Sequence, residues 1–191
     1  MAIKPLMATI SAGKYKGKKL ALPSLESTRS TKAILKGSLF DSLQYDIMDE
    51  VFVEVFGGSG SMGLEALSRG AKHAYFIEKD KAAFSTLKSN CKVIDDEHTT
   101  PFHGDSFVIF PTLLSTLKDK AYFYFDPPFS IREGMEDIYQ KVIDLIASIP
   151  REKAHLIVIE HMSTLVLPAQ IGIYTLQKTK KFGKSSLSYY I

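Results

Sequence analysis

The residues best suited to chemistry are a glycine-rich turn and the carboxylates that end the apolar runs around it. Gly58-Ser59-Gly60-Ser61-Met62-Gly63 fits the spacing G-x-G-x-x-G, after the apolar run Val51 to Phe56 and before a helical pattern through Leu64 and Leu67. Glycines let a backbone turn tightly against a ligand, and the helix that follows offers free N–H groups. Glu78, twenty residues after Gly58 and at the end of the next apolar run, suits a carboxylate that accepts from both hydroxyls of a ribose. A plain glycine turn with a surface glutamate would share the spacing; the two strand-end contexts together point to a nucleoside cofactor. NAD(H) and S-adenosyl-L-methionine both fit this much. Glu54, just ahead of the glycines, favours a cationic or amino-bearing ligand, since it would repel a pyrophosphate at close range.

Asp126-Pro127-Pro128-Phe129 ends the most strand-like run of the chain, Ala121 to Phe125, where a doubly wound sheet has its ligand crevice. An aryl amine is a poor nucleophile because its lone pair is delocalised into the ring. The Asp126 carboxylate and the Pro127 carbonyl can accept its two N–H bonds and aim the nitrogen at an electrophilic methyl. The two prolines would hold that carbonyl rigid, and Phe129 would stack on a base. An Asp-Pro turn ending a strand is common, but it does not account for an aromatic directly after two prolines.

These residues need a scaffold of strand ends. Short apolar runs at 51–56, 74–77, 121–125 and 156–159, with a weaker one at 99–103, alternate with helical patterns after the glycine turn, over 82–93 and over 138–149. That alternation predicts an α/β fold with a doubly wound, mostly parallel sheet. The last two strands, 171–179 and 187–191, are too close for a crossover helix and should pair as an antiparallel hairpin. At the other end, two short strands within 9–22 join through Gly13 and Gly17, and Thr31 could cap a helix running to about Tyr45. A boundary near residue 48 divides the chain into a hairpin and helix extension, 1–48, and a sheet domain, 49–191.

The 191 residues carry a formal charge of only +3, unevenly spread. Residues 1–36 hold eight Lys and Arg against Glu26 alone, and 171–191 add Lys178, Lys180, Lys181 and Lys184 without an acid, so two basic ends flank an acidic body. Such asymmetry points to a polyanion partner better than the total does. One cysteine and no Cys/His cluster of zinc spacing argue against disulfides and a structural metal, and no run suits a membrane span. A cytoplasmic monomer is expected.

With these motifs in view, the chain resembles the bacterial RsmD family, 16S ribosomal RNA guanine-N2 methyltransferases, over nearly its full length. The resemblance rests on Ser11 to Leu20, on Thr28 to Thr31 leading to Leu39-Phe40-Asp41-Ser42-Leu43, and on Phe56 to Ala71. Glu78, Asn90, Asp105 and Asp126 to Phe129 complete it. It implies a seven-stranded Rossmann-like class I methyltransferase that uses S-adenosyl-L-methionine to methylate one guanine amine of the small ribosomal subunit. Glu54 and the loop Gly57, Gly58, Ser59, Gly60 and Gly63 would then hold the methionine portion, Glu78 the ribose and Asp105 the adenine amine. Asp126, Pro127, Pro128 and Phe129 would hold the target base, and Lys14, Lys16, Lys18, Lys19 and Arg29 would grip RNA phosphates. The chain departs from the family pattern at Glu54 (usually Asp), at Phe129 (usually Tyr) and at Ser30 (usually Pro).

Cys91 falls on an apolar helix face and reads as packing, not as a nucleophile, and the five histidines lack ligand spacing. An adenine amino-methyltransferase, a nicotinamide-dependent dehydrogenase and a non-catalytic RNA-binding module are the competing readings.

Overall fold

The computed structural model describes residues 6–23, 29–128 and 137–191, with residues 29–31 described by backbone alone. β1 (Met7–Thr9) and β2 (Lys19–Ala21) pair antiparallel and lead to helix α1 (Arg29–Leu43). Then follow β3 (Val51–Glu54), α2 (Ser61–Ser68), β4 (His73–Glu78), α3 (Lys81–Asp95), β5 (Thr99–His103) and α4 (Ser106–Thr116). The chain continues with β6 (Ala121–Phe125), α5 (Ile138–Ala147), β7 (Ala154–Met162), β8 (Gln170–Ile171), β9 (Tyr174–Phe182) and β10 (Ser185–Tyr190).

The main sheet has the order β5-β4-β3-β6-β7-β10-β9-β8. Strands β3 to β7 are parallel, and β10 runs antiparallel to both β7 and β9. The expected mostly parallel sheet with a C-terminal antiparallel hairpin is therefore present. Its expected seven strands gain an eighth of two residues, because the segment read as one strand over 171–179 turns at Gly172. That residue has φ +56°, and a Cβ there would lie 3.0 Å from the Ala147 Cα, so the turn packs directly on α5. Helix α1 starts at Arg29, two residues before the expected cap, which puts Thr31 inside the helix.

Side chains alternate between two cores along each central strand. Phe52, Tyr124, Val158 and Tyr189 face one cluster with α1, α2, α3 and the N-terminal hairpin. Val53, Phe123, Ile157 and Tyr190 face the other, with α4 and α5. Because both faces are covered, β3 is buried at all four positions. The chain leaves β3 toward β4 on one side and reaches β6 on the other, so a crevice opens at the carboxyl ends of β3 and β6.

The N-terminal hairpin is fastened beside that crevice. Ile10 and Leu20 are fully buried in the cluster that includes Phe52 and Phe76. The Tyr15 N–H donates to Ser68 Oγ (2.9 Å), Ser68 Oγ donates to the Ala12 carbonyl (2.5 Å), and the Lys14 N–H donates to the Ser68 carbonyl (2.8 Å). Gly13 has φ +82°, and a Cβ there would lie 1.7 Å from the Ser68 carbonyl oxygen, so only glycine fits this contact. Asn90 on α3 accepts from the Ala21 N–H and donates to the carbonyls of Ala21 and Ser59, each at 2.9 Å, tying β2 to the glycine loop. Among the described residues, no helix is long and apolar enough to cross a membrane.

Candidate functional site

Glu54 ends β3 as a buried carboxylate whose Oε2 accepts from the Gly63 N–H at 2.8 Å. Gly63 is the third residue of α2, so one of the unpaired donors of that helix start is met from the strand. Between them the loop is pinned from below. The Gly57 N–H donates to the Ile77 carbonyl (2.7 Å), the Gly60 N–H to the Gly57 carbonyl (2.7 Å), and the Gly58 N–H to Glu78 Oε2 (2.8 Å). Gly58 and Gly60 both adopt positive φ. A Cβ on Gly60 would come within 2.6 Å of Leu87, and one on Gly63 within 2.4 Å of the Phe76 ring. These glycines thus let the loop close down on β4 and α3 while its upper side stays open.

Glu78, at the end of β4, also accepts from the Asp80 N–H through Oε1 (2.7 Å). A carboxylate has about four lone-pair sites, so two backbone donors leave room for two more. Asp105 caps α4: Oδ1 accepts from the Phe107 N–H (2.9 Å), and Oδ2 takes the Lys79 ammonium at 2.8 Å. The Lys79 hydrogen bond, working against slight burial, holds the Asp105 carboxyl below its ordinary range.

Asp126 follows β6 directly, and its Oδ2 lies 2.7 Å from the Lys32 ammonium of α1. The same ammonium reaches Glu160 on β7, 2.9 Å from Oε1 and 3.0 Å from Oε2. The Tyr124 hydroxyl donates to Glu160 Oε2 at 2.5 Å. Burial, then the Asp126 charge, push the Glu160 carboxyl up to about 7 against the pull of Lys32 and Tyr124. Burial would lower the Lys32 pKa, but the Asp126 and Glu160 charges outweigh it and raise it, so Lys32 stays an ammonium ion.

A cavity of about 780 Å³ opens between the glycine loop and Asp126. Its walls include Glu54, Gly57, Gly58, Ser59, Ser61 and Met62 on one side, and Lys32, Tyr124 and Asp126 on another. The N-terminal hairpin closes it with Thr9, Ser11, Lys16 and Lys19. Ser61 and Met62 open α2, and their N–H groups have no carbonyl one turn back. Pockets of roughly 300–1,000 Å³ suit cofactor-sized ligands.

The structure gathers Glu54, Gly57, Gly58, Ser59, Lys16, Lys19 and Asp126 around one space. Glu78 stands behind it, bonded to Gly58, while Gly60 and Gly63 support the loop from within, and Asp105 lies outside the lining. Pro127 and Pro128 follow Asp126 outside any helix or strand. Lys14 turns to Asp95 at 3.5 Å and over the Tyr15 ring, which Lys18 also covers. Phe129 and the Arg29 side chain lie outside the described residues.

Lys32, Tyr124 and Glu160 belong to the site but carry no motif. Two signals were present. Lys32 and Lys36 fall on the apolar stripe of α1 beside Leu35 and Leu39, where charge is unexpected, and Glu160 ends an apolar run as Glu54 and Glu78 do.

The chain is 28% identical over 186 residues to YlbH of Bacillus subtilis, provisionally named an rRNA methyltransferase, covering 95% of this chain and 97% of that protein. It is 33% identical over 130 residues to ribosomal RNA small subunit methyltransferase D of Escherichia coli K12, covering 66% of this chain and 61% of that protein. The solved structure of Escherichia coli yhhF, provisionally named a methyltransferase, superposes with a TM-score of 0.76 at 26% identity over 97% of both chains. The family model described as conserved hypothetical protein 95 matches residues 8–191, and the chain belongs to that family, the RsmD family of methyltransferases.

Proposed function

We propose that the chain is a methyltransferase that uses S-adenosyl-L-methionine to methylate the N2 amine of a guanine in 16S ribosomal RNA. One observation carries this reading: Asp126, the buried Glu54 and the open first turn of α2 line the same cavity. The names of its relatives, rRNA methyltransferases, agree with it.

The residues present suit that cofactor. A buried carboxylate beside free helix N–H groups offers both an acceptor and donors, which is what an amino-acid moiety with an ammonium and a carboxylate requires. Glu54 and the Gly57–Gly63 loop would hold that moiety, Glu78 with its remaining lone pairs the ribose, and Asp105 the adenine amine. When bound, the cofactor supplies a methyl group on a positively charged sulfur.

The chain's own residues handle the acceptor. Asp126 takes one N–H of the guanine amine and the Pro127 carbonyl the other, which aligns the nitrogen lone pair with the methyl donor. Pro127 and Pro128 fix the backbone that presents the carbonyl. Phe129 stacks on a base that has been turned out of its helix. Lys16 and Lys19 at the cavity edge, with Lys14, Lys18 and Arg29, contact phosphates and position the RNA without reading its sequence. Such a substrate places the protein in the cytoplasm.

The reading is tested by incubating the protein with small subunits from cells that lack it and methyl-labelled cofactor. Label is expected in the ribosomal RNA, and absence of label would refute the assignment. In parallel, S-adenosylhomocysteine should raise Tm while NADH leaves it unchanged; the reverse would indicate a dehydrogenase.

A further inference from the structure

Methylating an amine leaves a proton to be placed. For the guanine nitrogen to end as a neutral N-methylamine, it forms one N–C bond, the donor's C–S electron pair returns to sulfur, and one N–H proton departs. Asp126, as the acceptor of that N–H, is its first station, but Asp126 already faces the Lys32 ammonium at 2.7 Å. Behind Lys32 lies Glu160, 1% exposed. Its Oε1 sits 2.9 Å from the ammonium yet, among the described residues, accepts no well-aligned hydrogen bond. A buried carboxylate with an unfilled lone pair next to a donor is a ready proton acceptor.

Resting on the methyltransferase reading, we propose that Glu160 is the terminal proton acceptor of this site, reached from Asp126 through Lys32. As Asp126 takes the amine proton, the Lys32 ammonium, in contact with both carboxylates, passes one of its own protons to Glu160 in the same exchange in which it receives the proton on Asp126, and is at no point a free amine. Asp126 is again a carboxylate, Lys32 again an ammonium, and Glu160 has become a neutral acid. The cluster goes from one cation and two anions to one cation and one anion, a relief of like charge around the buried Glu160.

The groups facing Glu160 make this asymmetric. Lys32 arrives from α1, Asp126 from the end of β6, and the Tyr124 hydroxyl from β6. Tyr139 on α5 also feels its charge. From the neighbouring strands, Leu187 of β10 is paired with Glu160, and Lys180 of β9 is paired with Leu187. The Lys180 ammonium donates instead to Ser38 and Ser42 of α1. Lys32 is thus the one cation bonded to Glu160 among the described residues, and it is shared with Asp126. The Glu160 carboxyl, raised to about 7, is about half ionised at neutral pH, so it can take up a proton and release it afterwards.

The test combines a titration with a rate profile. In carbon-13 spectra of Glu-labelled protein, a carboxyl resonance absent from Glu160→Gln should titrate near pH 7 and move higher in Lys32→Met. Titration of Glu160 in the ordinary carboxylate range, or no movement on removing Lys32, would overturn the proposal without reference to any substrate. In single turnovers, the wild-type rate should fall below pH 7. Glu160→Gln should cut the rate at pH 8 by about 100-fold and remove that acidic limb, with S-adenosylhomocysteine affinity unchanged. A Glu160→Gln enzyme that keeps the limb would refute the relay. If that variant does not fold, Lys32→Met at its partly exposed position serves in both measurements, with loss of the same limb expected. Methyl transfer to an amine other than guanine N2 would refute the guanine assignment while the pH profile still decides the relay.

Discussion

Two buried glutamates, each met by a lysine from the same helix, show opposite uses of one arrangement. Lys36 and Lys32 lie one turn apart on α1. Lys36 pairs with Glu65 of α2 at 3.0 Å, and Glu65 also takes Arg69 Nε (3.0 Å), the Ser11 N–H (3.0 Å) and the Ser11 hydroxyl (2.5 Å). Burial alone would raise the Glu65 pKa, but Lys36 and Ser11 outweigh it and hold the carboxyl below its ordinary value. Glu160 has one shared lysine and one phenol, with Asp126 nearby, and its carboxyl is pushed up to about 7. The difference is how many donors and cations each carboxylate commands. A carboxylate with both oxygens filled acts as a rivet, holding the hairpin to α2; one left short keeps a proton affinity near neutrality.

The most damaging way to probe this contrast is to remove the rivet. Glu65→Ala leaves Lys36 buried without its carboxylate and should cost about 3–5 kcal/mol in urea unfolding at pH 7, since breaking a buried pair strands a charge. An equal loss from Glu160→Ala would erase the distinction. On the chemical side, Asp126→Ala should lower methyl transfer by about 100-fold or more while RNA affinity holds, read by filter binding beside single-turnover rates. Gly13→Ala tests the hairpin end of the rivet without touching charge. Its Cβ would collide with the Ser68 carbonyl at positive φ, and a loss of about 2 kcal/mol is expected in the same denaturation assay.

The subtlest contrast is in the pH dependence of Tm. Glu65, with its folded pKa lowered, contributes stability that is present above the ordinary Glu value of 4.5 and is lost as pH falls through the lower folded value. Glu160, with its folded pKa raised, works in reverse: the folded protein holds the proton more tightly, so stability declines as pH rises from 4.5 to about 7. Glu160→Gln should therefore flatten the decline between pH 5 and 8, an effect on the order of 2–3 kcal/mol. Glu65→Gln should instead remove part of the acid-side loss.

Much of the fold was legible because strand and helix periods were clean, and because the glycine loop and Asp126 sit at strand ends, where backbone breaks mark the sequence. Helix α4 leaves no such signal: its run Ser106 to Leu114 is apolar without a helical period and contains Pro111. The strand over 171–179 was split by a tertiary contact between Gly172 and α5 that no local pattern records. The site was legible in its motif residues and opaque in its charge network, since Lys32 and Glu160 are 128 residues apart. Charge counting also overstated the basic arm. Lys36 is consumed by Glu65, Lys32 is held between Asp126 and Glu160, and Lys14 leans on Asp95, so fewer lysines remain for phosphates than the sequence total suggests.

The central claim is that Asp126 presents a guanine amine of 16S ribosomal RNA for methylation. Small subunits from cells lacking the protein should be treated with wild type or Asp126→Ala, and the RNA digested and mapped nucleotide by nucleotide by mass spectrometry. The account predicts one guanine carrying an N2-methyl group after wild-type treatment and, in the same time, about a hundredth of that product or less after Asp126→Ala. A methylated adenine, or unchanged methylation by the variant, would contradict it.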